Sequence, residues 1–530
     1  MRSSSAGLLS ILLSWGLLLV CADVDICGLT TEEYQYGTKL LIAGGTVVNA
    51  DRQQRADVYI ENGIIQFVAP NLKVSDDVRI IDATGKYVMP GGIDPHTHME
   101  MPFMGTESSD DFFTGQAAAL AGGTTMHIDF IIPPEGDLTT GFDAWQEKAK
   151  KACMDYGFHM AVTKWNEKVA KDMEDLVRDK GINSFKFFFA YKGSLMVTDA
   201  EFLQGLKKCK ELGALAQVHA ENGDAVAEGQ QTIFDQGITG PEGHSLSRPA
   251  LVEGEATGRA IKLAQFVNAP LYVVHVMSSD ALDEIARARQ LGARVVGEPV
   301  ASGLALDDSG LWDPDFETAA KFVMSPPIRP AGHNKALQAA LASGVLQLVG
   351  TDHCVFTSKQ KAAGKHDFRK IPNGVNGIEE RMHIVWDIMV IYSSSHVLEN
   401  SGKISVTDFV RVTSTACAQI FNIYPRKGAI LPGSDADLII FNPNKTTRIS
   451  ARTHHSAIDT NIYEGWTMQG NVEVTISQGN VVWENEQLNV ERGAGRYINL
   501  PPFGSLFDGL DKVDSSLLAS QRAPVQRAVS

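Results

Sequence analysis

Basic charge and cysteine are both scarce in this sequence. The formal net charge is -16 at pH 7, which argues against a nucleic-acid partner because phosphate binding needs a basic face. The chain has 6 cysteines in 530 residues, and none is spaced as Cys-x-x-Cys, so we predict buried free thiols rather than a disulfide framework. A P-loop, a nucleophilic serine elbow and a dinucleotide-binding glycine loop are also lacking.

The N-terminus has the pattern of a secretory signal peptide. Arg2 precedes an apolar run from Leu8 to Val20, and small residues surround a plausible cleavage point after Ala22. The run is shorter than the roughly 20 residues of a membrane span, so an uncleaved anchor is the second interpretation. We expect residues 1–22 to be a signal peptide that directs the chain into the secretory pathway, to the endoplasmic reticulum. No stable membrane insertion is expected after cleavage.

Apolar runs typical of β-strands alternate with helical patterns through the middle of the chain. The candidate strands are Tyr87–His98, Thr124–Ile131, Phe158–Thr163, Ile182–Ala190, Ala214–His219, Leu271–Val276, Arg294–Glu298 and Leu346–Thr351. This alternation is typical of a parallel sheet covered by helices. Eight such units predict an α/β fold, a TIM-type (β/α)8 barrel, with a doubly wound open sheet as the alternative.

Short strands and turns mark both ends of the chain. We expect residues 38–88 and 426–492 to form one small β-sandwich domain, with the barrel over residues 89–425 between its two parts. Residues 493–530 show no periodicity. This C-terminal arm is predicted to be partly disordered or to dock on a neighbouring subunit.

Two histidines one residue apart end the first barrel strand. Residues at positions i and i+2 of a strand share one face, so His96 and His98 point towards the same place. Neutral imidazole is a common zinc ligand. A single His-x-His is more often structural, so the prediction depends on further ligands at other strand ends.

Four later strands supply such groups, one from within an aromatic strand and three at or next to the strand end. These are Lys186, His219, His275 and Asp352. In a barrel of this kind, the carboxyl ends of the strands meet at one rim, where active sites lie. We therefore predict a metal centre built from six side chains, while His353 is expected to point away from it.

Lys186 is the most informative member of this set, because it lies within an aromatic strand. A buried ammonium group is costly, so such a lysine tends to lose its proton and become nucleophilic. A neutral amine beside metal ions can take up carbon dioxide to form a carbamate that bridges two metals. In an arbitrary protein, a lysine reaching solvent from a strand end is the commoner case.

These motifs resemble the amidohydrolase superfamily, and within it the family of dihydropyrimidinases and hydantoinases. The segments that carry the resemblance are Asp94–His98, Lys186, the later histidines, Thr351–Asp352, Ser325–Arg329, Lys370–Gly377 and Tyr424–Gly428. The resemblance extends from about Lys39 to Pro502. It implies a homotetramer. The secretory leader is typical of plant-type members of the family.

The resemblance also implies the site residues and the reaction. His96, His98 and Asp352 would hold one zinc ion, His219 and His275 a second, and Lys186, as N6-carboxylysine, would bridge the two. The expected reaction is hydrolytic ring opening of a small cyclic ureide, in pyrimidine catabolism the opening of 5,6-dihydrouracil and 5,6-dihydrothymine. Asp352 and Tyr191 would be catalytic, and Tyr191, Ser325 and Asn373 would bind the substrate, with Asn376 as an alternative to Asn373.

Four other functions are alternatives at this point. Dihydroorotase typically has an arginine just after the His-x-His for a substrate carboxylate, whereas this chain has Met99 and Glu100, and a glutamate there would repel an anion. Hydantoinase and allantoinase are harder to separate from the sequence. A non-catalytic scaffold is disfavoured because all six ligand positions and Tyr191 are retained.

Overall fold

A computed structural model describes residues 39–390, 402–521 and 527. The expected signal peptide, residues 1–22, lies outside the described residues, as do Cys21 and Cys27. The other cysteines, Cys153, Cys209, Cys354 and Cys417, are free and buried, which confirms the expectation for these four. Within the described part of the chain, no helix combines the length and the apolar character needed to cross a membrane.

The strands of the described residues are numbered in chain order. They are β1 Lys39–Ala43, β2 Thr46–Val48, β3 Gln53–Arg55, β4 Asp57–Glu61, β5 Ile64–Ala69, β6 Arg79–Asp82, β7 Tyr87–Pro90, β8 Gly92–Thr97, β9 Pro102–Phe103, β10 Thr106–Glu107, β11 Thr124–Ile131, β12 Asp155–Val162, β13 Ser184–Phe188, β14 Leu215–His219, β15 Leu271–Val273, β16 Val295–Gly297, β17 Leu438–Arg448, β18 Thr467–Ser477, β19 Asn480–Glu484 and β20 Gln487–Leu488.

The α-helices follow the same convention. They are α1 Thr114–Ala121, α2 Leu138–Lys148, α3 Glu167–Lys180, α4 Asp199–Leu212, α5 Gly223–Asp235, α6 Glu242–Leu246, α7 Ala250–Val267, α8 Ser279–Gln290, α9 Ala301–Ala305, α10 Phe316–Ala320, α11 His333–Ala342, α12 Ser358–Lys361, α13 Arg381–Val385, α14 Val406–Val410, α15 Ala416–Ile420 and α16 Leu510–Gln521.

A curled parallel sheet of seven strands forms the barrel, in the order β16-β15-β14-β13-β12-β11-β8. Every residue of β11 and β12 is buried, as expected for strands covered by helices outside and by side chains inside. Sequential strands are neighbours and parallel, which is the arrangement of a TIM-type barrel. The predicted fold class is therefore confirmed.

The eighth barrel position differs from the predicted strand Leu346–Thr351. Among the described residues it is occupied by an irregular segment that joins its neighbours through isolated parallel bridges, Val300 to Gly350 and Thr97 to His353. The segment leaves extended geometry at Asp352, whose φ is 53°. This turn, rather than a continued strand, directs the segment back across the rim.

The predicted strand Tyr87–His98 is wrong as a single element, because the chain changes sheets at Gly91. Before that residue, β7 pairs with β17 and β2 in an outer sheet, and after it β8 enters the barrel. Gly91 passes so close to Thr125 that a Cβ atom there would lie 2.1 Å from the Thr125 hydroxyl oxygen. Only glycine fits this crossing.

Two outer sheets combine both ends of the chain. Their orders are β5-β4-β1-β6 and β20-β19-β18-β17-β7-β2-β3. Apolar side chains from the two ends share one core cluster, which includes Leu40, Ile60, Val88, Ile440 and Ile476. Packing of these two sheets over a common core is the arrangement expected of a β-sandwich.

The C-terminal arm lies against the amino ends of the barrel strands, opposite the rim that carries the histidines. Ile498 donates a backbone hydrogen bond to Tyr156 at 2.8 Å, and Leu500 donates one to Gly181 at 2.9 Å. The described part of residues 493–530 is thus fixed to its own barrel as far as α16. Docking on a neighbouring subunit stays a prediction.

Candidate metal centre and substrate pocket

The six predicted ligands come together at the carboxyl end of the barrel. They are His96, His98, Lys186, His219, His275 and Asp352, and all six are buried. His96 and Lys186 lie within barrel strands, and the other four end or follow a barrel strand or the segment that takes the eighth position. Because parallel strands end at one rim, residues far apart in sequence become neighbours there.

One half of the cluster surrounds the carboxylate of Asp352. Its Oδ1 lies 3.2 Å from Nε2 of His96 and 3.2 Å from Nε2 of His98. The Lys186 amine is 3.1 Å from the same His96 nitrogen. The two histidines of the His-x-His motif therefore point towards one place, as the spacing predicts.

The other half consists of the two later histidines. Nδ1 of His219 lies 2.9 Å from Nε2 of His275, and the ring centroids of His96 and His275 are 5.3 Å apart. Nitrogen and oxygen atoms of His96, His275 and Asp352 lie within 4.8 Å of one another. The two halves form one continuous group of donor atoms.

Three site residues have a left-handed backbone conformation, although none is glycine. The φ angles are 64° for Tyr191, 37° for His275 and 53° for Asp352. Such geometry is unfavourable for most residues and persists only where the surrounding structure enforces it. At these three positions it turns the side chain into the rim just after a strand or segment ends.

The chemistry of this donor set fits a pair of metal ions. Burial lowers the pKa of each of the four histidines, so their rings are neutral and have lone pairs to offer. The Nδ1 atoms of His98 and His275 are buried and have no hydrogen-bond partner among the described residues. Zinc takes nitrogen and oxygen ligands in proteins. The site offers four imidazoles and a carboxylate, and its amine would become an oxygen ligand as a carbamate.

Lys186 lies in an aromatic environment. Its amine is 4.1 Å from the ring centroid of Phe130 and 5.1 Å from that of Phe188. Burial lowers the pKa of Lys186 to about 8, which leaves a fraction of neutral amine at neutral pH. This is the form that reacts with carbon dioxide.

Two buried carboxylates that the sequence did not single out support the ligands. Glu298 lies 2.7 Å from Nδ1 of His96, and Glu221 lies 2.9 Å from Nε2 of His219. Arg248 donates to Glu221 at 3.0 Å. Burial raises the pKa of the Glu221 carboxyl, but the positive charge of Arg248 and the hydrogen bond with His219 outweigh this effect and hold the pKa at about 2. The sequence signal was their position, since Glu298 directly follows β16 and Glu221 lies two residues after His219.

A second acidic group does not make a metal site. Asp155, Asp435 and Asp437 converge below the barrel, but the Lys427 amine contacts all three carboxylates. Arg496 adds a second cation, 3.1 Å from Asp155. Arg426 adds a third, 2.9 Å from Asp435, so the chain itself already balances the negative charge of this group.

A pocket opens above the donor atoms. Tyr191, Ser325 and Asn373 line it together with apolar side chains that include Met101 and Phe103. The Asn373 amide donates to the Ser325 hydroxyl at 3.0 Å. Burial raises the pKa of Tyr191 to about 12, so its hydroxyl keeps its proton at neutral pH.

The alternative residue Asn376 is turned away from this pocket. Its Oδ1 accepts a hydrogen bond from the Ile462 backbone at 3.0 Å. His353 also points away, as predicted, with its Nε2 atom 2.9 Å from Asp110. Of the two asparagines, Asn373 is the one that reaches the pocket.

Glu100 has a different role from the one expected. Its carboxylate pairs with Lys151 at 3.0 Å, and it is not among the residues that line the pocket. It therefore does not repel an anionic substrate directly. A substrate ring that bears a carboxylate is disfavoured because the pocket lining among the described residues contains no arginine.

Comparisons with known proteins agree with this geometry. The amidohydrolase family model matches residues 87–482. A dihydropyrimidinase of Arabidopsis thaliana is 66% identical over 95% of this chain and 92% of its own length, and a dihydropyrimidinase of Rattus norvegicus is 50% identical over 88% and 89%. The crystal structure of dihydropyrimidinase from Brevibacillus agri superimposes with a TM-score of 0.85 at 45% identity, over 88% of this chain and 100% of that one.

Proposed function

The chain belongs to the amidohydrolase family, and we propose that it opens the rings of 5,6-dihydrouracil and 5,6-dihydrothymine at a centre of two zinc ions. It is a cyclic amide hydrolase of the dihydropyrimidinase type. The products would be N-carbamoyl-β-alanine and N-carbamoyl-β-aminoisobutyrate. The observation that carries the proposal is the convergence of six buried donor groups beneath the pocket of Tyr191.

We assign the metal ligands by the two halves of the cluster. His96, His98 and Asp352 would hold one zinc ion, and His219 and His275 the other. Lys186 would bridge them as a carbamate, formed when its neutral amine adds to carbon dioxide and releases a proton. When bound, the two ions lower the pKa of water so that hydroxide is available near neutral pH, and they polarise the carbonyl.

Asp352 is the proposed general base and acid. Its Oδ1 lies among the ligand nitrogens at the floor of the pocket, where an attacking water would lose its proton. The carboxylate accepts that proton during attack on the C4 carbonyl carbon. It then donates the proton to N3 as the C4–N3 bond breaks, so no proton is gained or lost overall.

Tyr191 is the proposed donor to the developing oxyanion. Its hydroxyl stays protonated because burial raises the pKa of Tyr191 to about 12. A buried donor aimed at the developing charge lowers the barrier more than a donor in water. Ser325 and Asn373 would hold the ring, largely through backbone groups, so that its C4 carbonyl faces Tyr191.

Two further proposals concern the protein in the cell. The N-terminal pattern supports entry into the endoplasmic reticulum, and a fluorescent fusion of the full chain tests this: uniform cytosolic signal would refute it. The family resemblance supports a homotetramer. Sedimentation of the purified protein tests that, and a stable monomer would refute it.

The test of function compares four substrates on one preparation with a measured zinc content. Dihydrouracil, hydantoin, allantoin and dihydroorotate are hydrolysed side by side, and we expect dihydrouracil to have the highest kcat/KM. A best rate with dihydroorotate would overturn the substrate assignment. A folded chain that binds no zinc and hydrolyses none of the four would favour the scaffold interpretation.

Carboxylation of Lys186 has its own test. Metal-free protein is reconstituted with zinc in buffer depleted of carbon dioxide, with and without added bicarbonate. We expect bicarbonate to be needed for full zinc binding and full activity. Equal recovery in both buffers would refute the carbamate.

A further inference from the structure

Lys361 is a buried lysine behind the two loops that carry Ser325 and Asn373. We propose that it is a positioning residue for substrate binding, because it fixes both loops at the distance at which their groups hold the ring. The inference rests on the proposed function, since it concerns the same pocket. Lys361 itself does not line that pocket.

The contacts of Lys361 join the two loops directly. Its amine donates to the backbone carbonyl of Val323 at 3.0 Å and to that of Pro372 at 3.0 Å. Val323 lies two residues before Ser325, and Pro372 lies immediately before Asn373. One side chain therefore fixes both loops at points next to the residues that face the substrate.

The two loops also contact each other next to the groups that Lys361 binds. The Gly374 backbone donates to the Val323 carbonyl at 2.9 Å, and the Asn373 amide donates to Ser325 at 3.0 Å. Gly374 has a φ of 154°, and a Cβ atom there would lie 2.0 Å from the Cys354 carbonyl oxygen. The close approach of the loops leaves little freedom once the lysine is in place.

The cost of burying Lys361 indicates that its contacts matter. The residue is 3% exposed, and no carboxylate of the described residues lies within ion-pair distance of its amine. Burial lowers the pKa of Lys361 to about 7. An apolar side chain of similar length would avoid this cost, but it would leave the Pro372 carbonyl without its donor and the Val323 carbonyl with the Gly374 backbone N–H alone.

The short helix α12 that carries Lys361 also reaches the opposite wall of the pocket. Its first turn is capped by Thr357, and the Gln360 side chain donates to Thr106 at 2.8 Å and to the Glu107 carbonyl at 2.8 Å. Thr106 and Glu107 belong to the β9–β10 hairpin, which includes Phe103 of the pocket lining. Helix α12 thus contacts both walls of the pocket. Gln360 contacts the hairpin that carries Phe103, and Lys361 contacts the loops that carry Ser325 and Asn373.

The experiment uses the zinc-loaded full chain and the variant Lys361→Met, with Lys359→Met as the matched control on an exposed position of the same helix. For Lys361→Met we expect KM for dihydrouracil to rise about tenfold or more while kcat changes by less than about threefold, since ground-state and transition-state binding are weakened together. Zinc content should stay at the wild-type level. Lys361→Arg, which keeps donors, should recover part of the affinity.

A merely structural role would give a different result. It would lower the melting temperature and the active fraction, and so apparent kcat, while KM stayed within about twofold of wild type; that result overturns the proposal. If Lys361→Met does not fold, Lys361→Gln is judged by the same KM criterion, and failure of both to fold also overturns it. Wild-type protein without activity on dihydrouracil would instead refute the proposed function.

Discussion

Glu298 Oε1 lies 2.7 Å from Nδ1 of His96, on the far side of the ring from the Nε2 atom that faces Lys186 and Asp352. The same carboxylate accepts hydrogen bonds from the Tyr272 hydroxyl and, at 3.2 Å, from the His275 backbone. All three partners are donors if Nδ1 of His96 carries the proton. In that tautomer, Glu298 leaves the lone pair of Nε2 directed towards Lys186 and Asp352, where a metal ion would bind.

The variant Glu298→Gln is therefore expected to bind zinc more weakly. An amide that donates to Nδ1 of His96 would move the ring proton to Nε2, where a ligand needs its lone pair. We expect a loss of about 10- to 100-fold in zinc affinity, measured by competition with a chromophoric chelator. Glu317→Gln at an exposed position is the control, and wild-type affinity in Glu298→Gln would contradict the assignment.

Tyr191→Phe removes the proposed oxyanion donor without changing the ring. We expect kcat for dihydrouracil to fall by about 10²- to 10³-fold with the zinc content unchanged. Steady-state kinetics and metal analysis of one preparation measure both quantities. Tyr424→Phe, at an exposed position, should behave as wild type, and a kcat within about threefold in Tyr191→Phe would exclude this role.

Buried neutral histidines make the fold sensitive to mild acid. Burial lowers the pKa of His127, His159 and His244 to about 3 and that of His383 to about 4, from an ordinary value of 6.5. At pH values between the folded-state pKa and 6.5, the unfolded chain binds more protons than the folded one. The contribution of these histidines to the free energy of unfolding is therefore complete above about pH 6.5 and is lost as the pH falls. Urea unfolding followed from pH 7.5 to 5 should show this decline.

His383→Gln tests the contribution of a single ring. Below about pH 6.5 it should reduce the slope of unfolding free energy against pH by up to about 1.4 kcal/mol per pH unit, the value for one proton. His366→Gln at an exposed position serves as the comparison and should leave the slope unchanged. An unchanged slope in His383→Gln would mean that this ring is not neutral in the folded state.

Lys427→Met should destabilise the junction between the barrel, the outer sheets and the C-terminal arm. It leaves Asp155, Asp435 and Asp437 buried with only the partly exposed Arg426 and Arg496 beside them. Removing one partner of a buried ion pair typically costs about 3–5 kcal/mol. Lys445→Met breaks an exposed pair with Glu473 and should cost at most about 1 kcal/mol, and equal effects of the two variants on urea unfolding would contradict the prediction.

Local spacing and strand order were sufficient to predict which six donor groups come together, but not which groups hold them in place. His96 and His98 share a face because a strand has a period of two residues, and the convergence of parallel strands in a barrel predicts that Lys186 lies near them. Glu298 and Glu221 carry no such pattern. Their importance depends on which ring nitrogen they face, and this follows from how neighbouring strands pack.

Two strand predictions failed for reasons that lie in the packing. The run from Tyr87 to His98 contains the turn-forming residues Pro90, Gly91 and Gly92, but the sequence does not show that the chain changes sheets there, where Gly91 passes Thr125. The segment before Asp352 is apolar enough for a strand, yet it joins the barrel only through isolated bridges. Likewise, Glu100 next to His98 in the chain faces Lys151 instead of the pocket.

By itself the sequence determined the alternation of strands and helices, and with it the barrel, the rim and the six donor groups, because these depend on periodicity and on where strands end. The tertiary structure alone decided which atoms face one another: Glu298 behind His96, Asn373 instead of Asn376 in the pocket, and Lys361 between two loops. Those relationships join residues distant in the chain, and they exist only once the backbone has brought their hydrogen-bonding groups within about 3 Å.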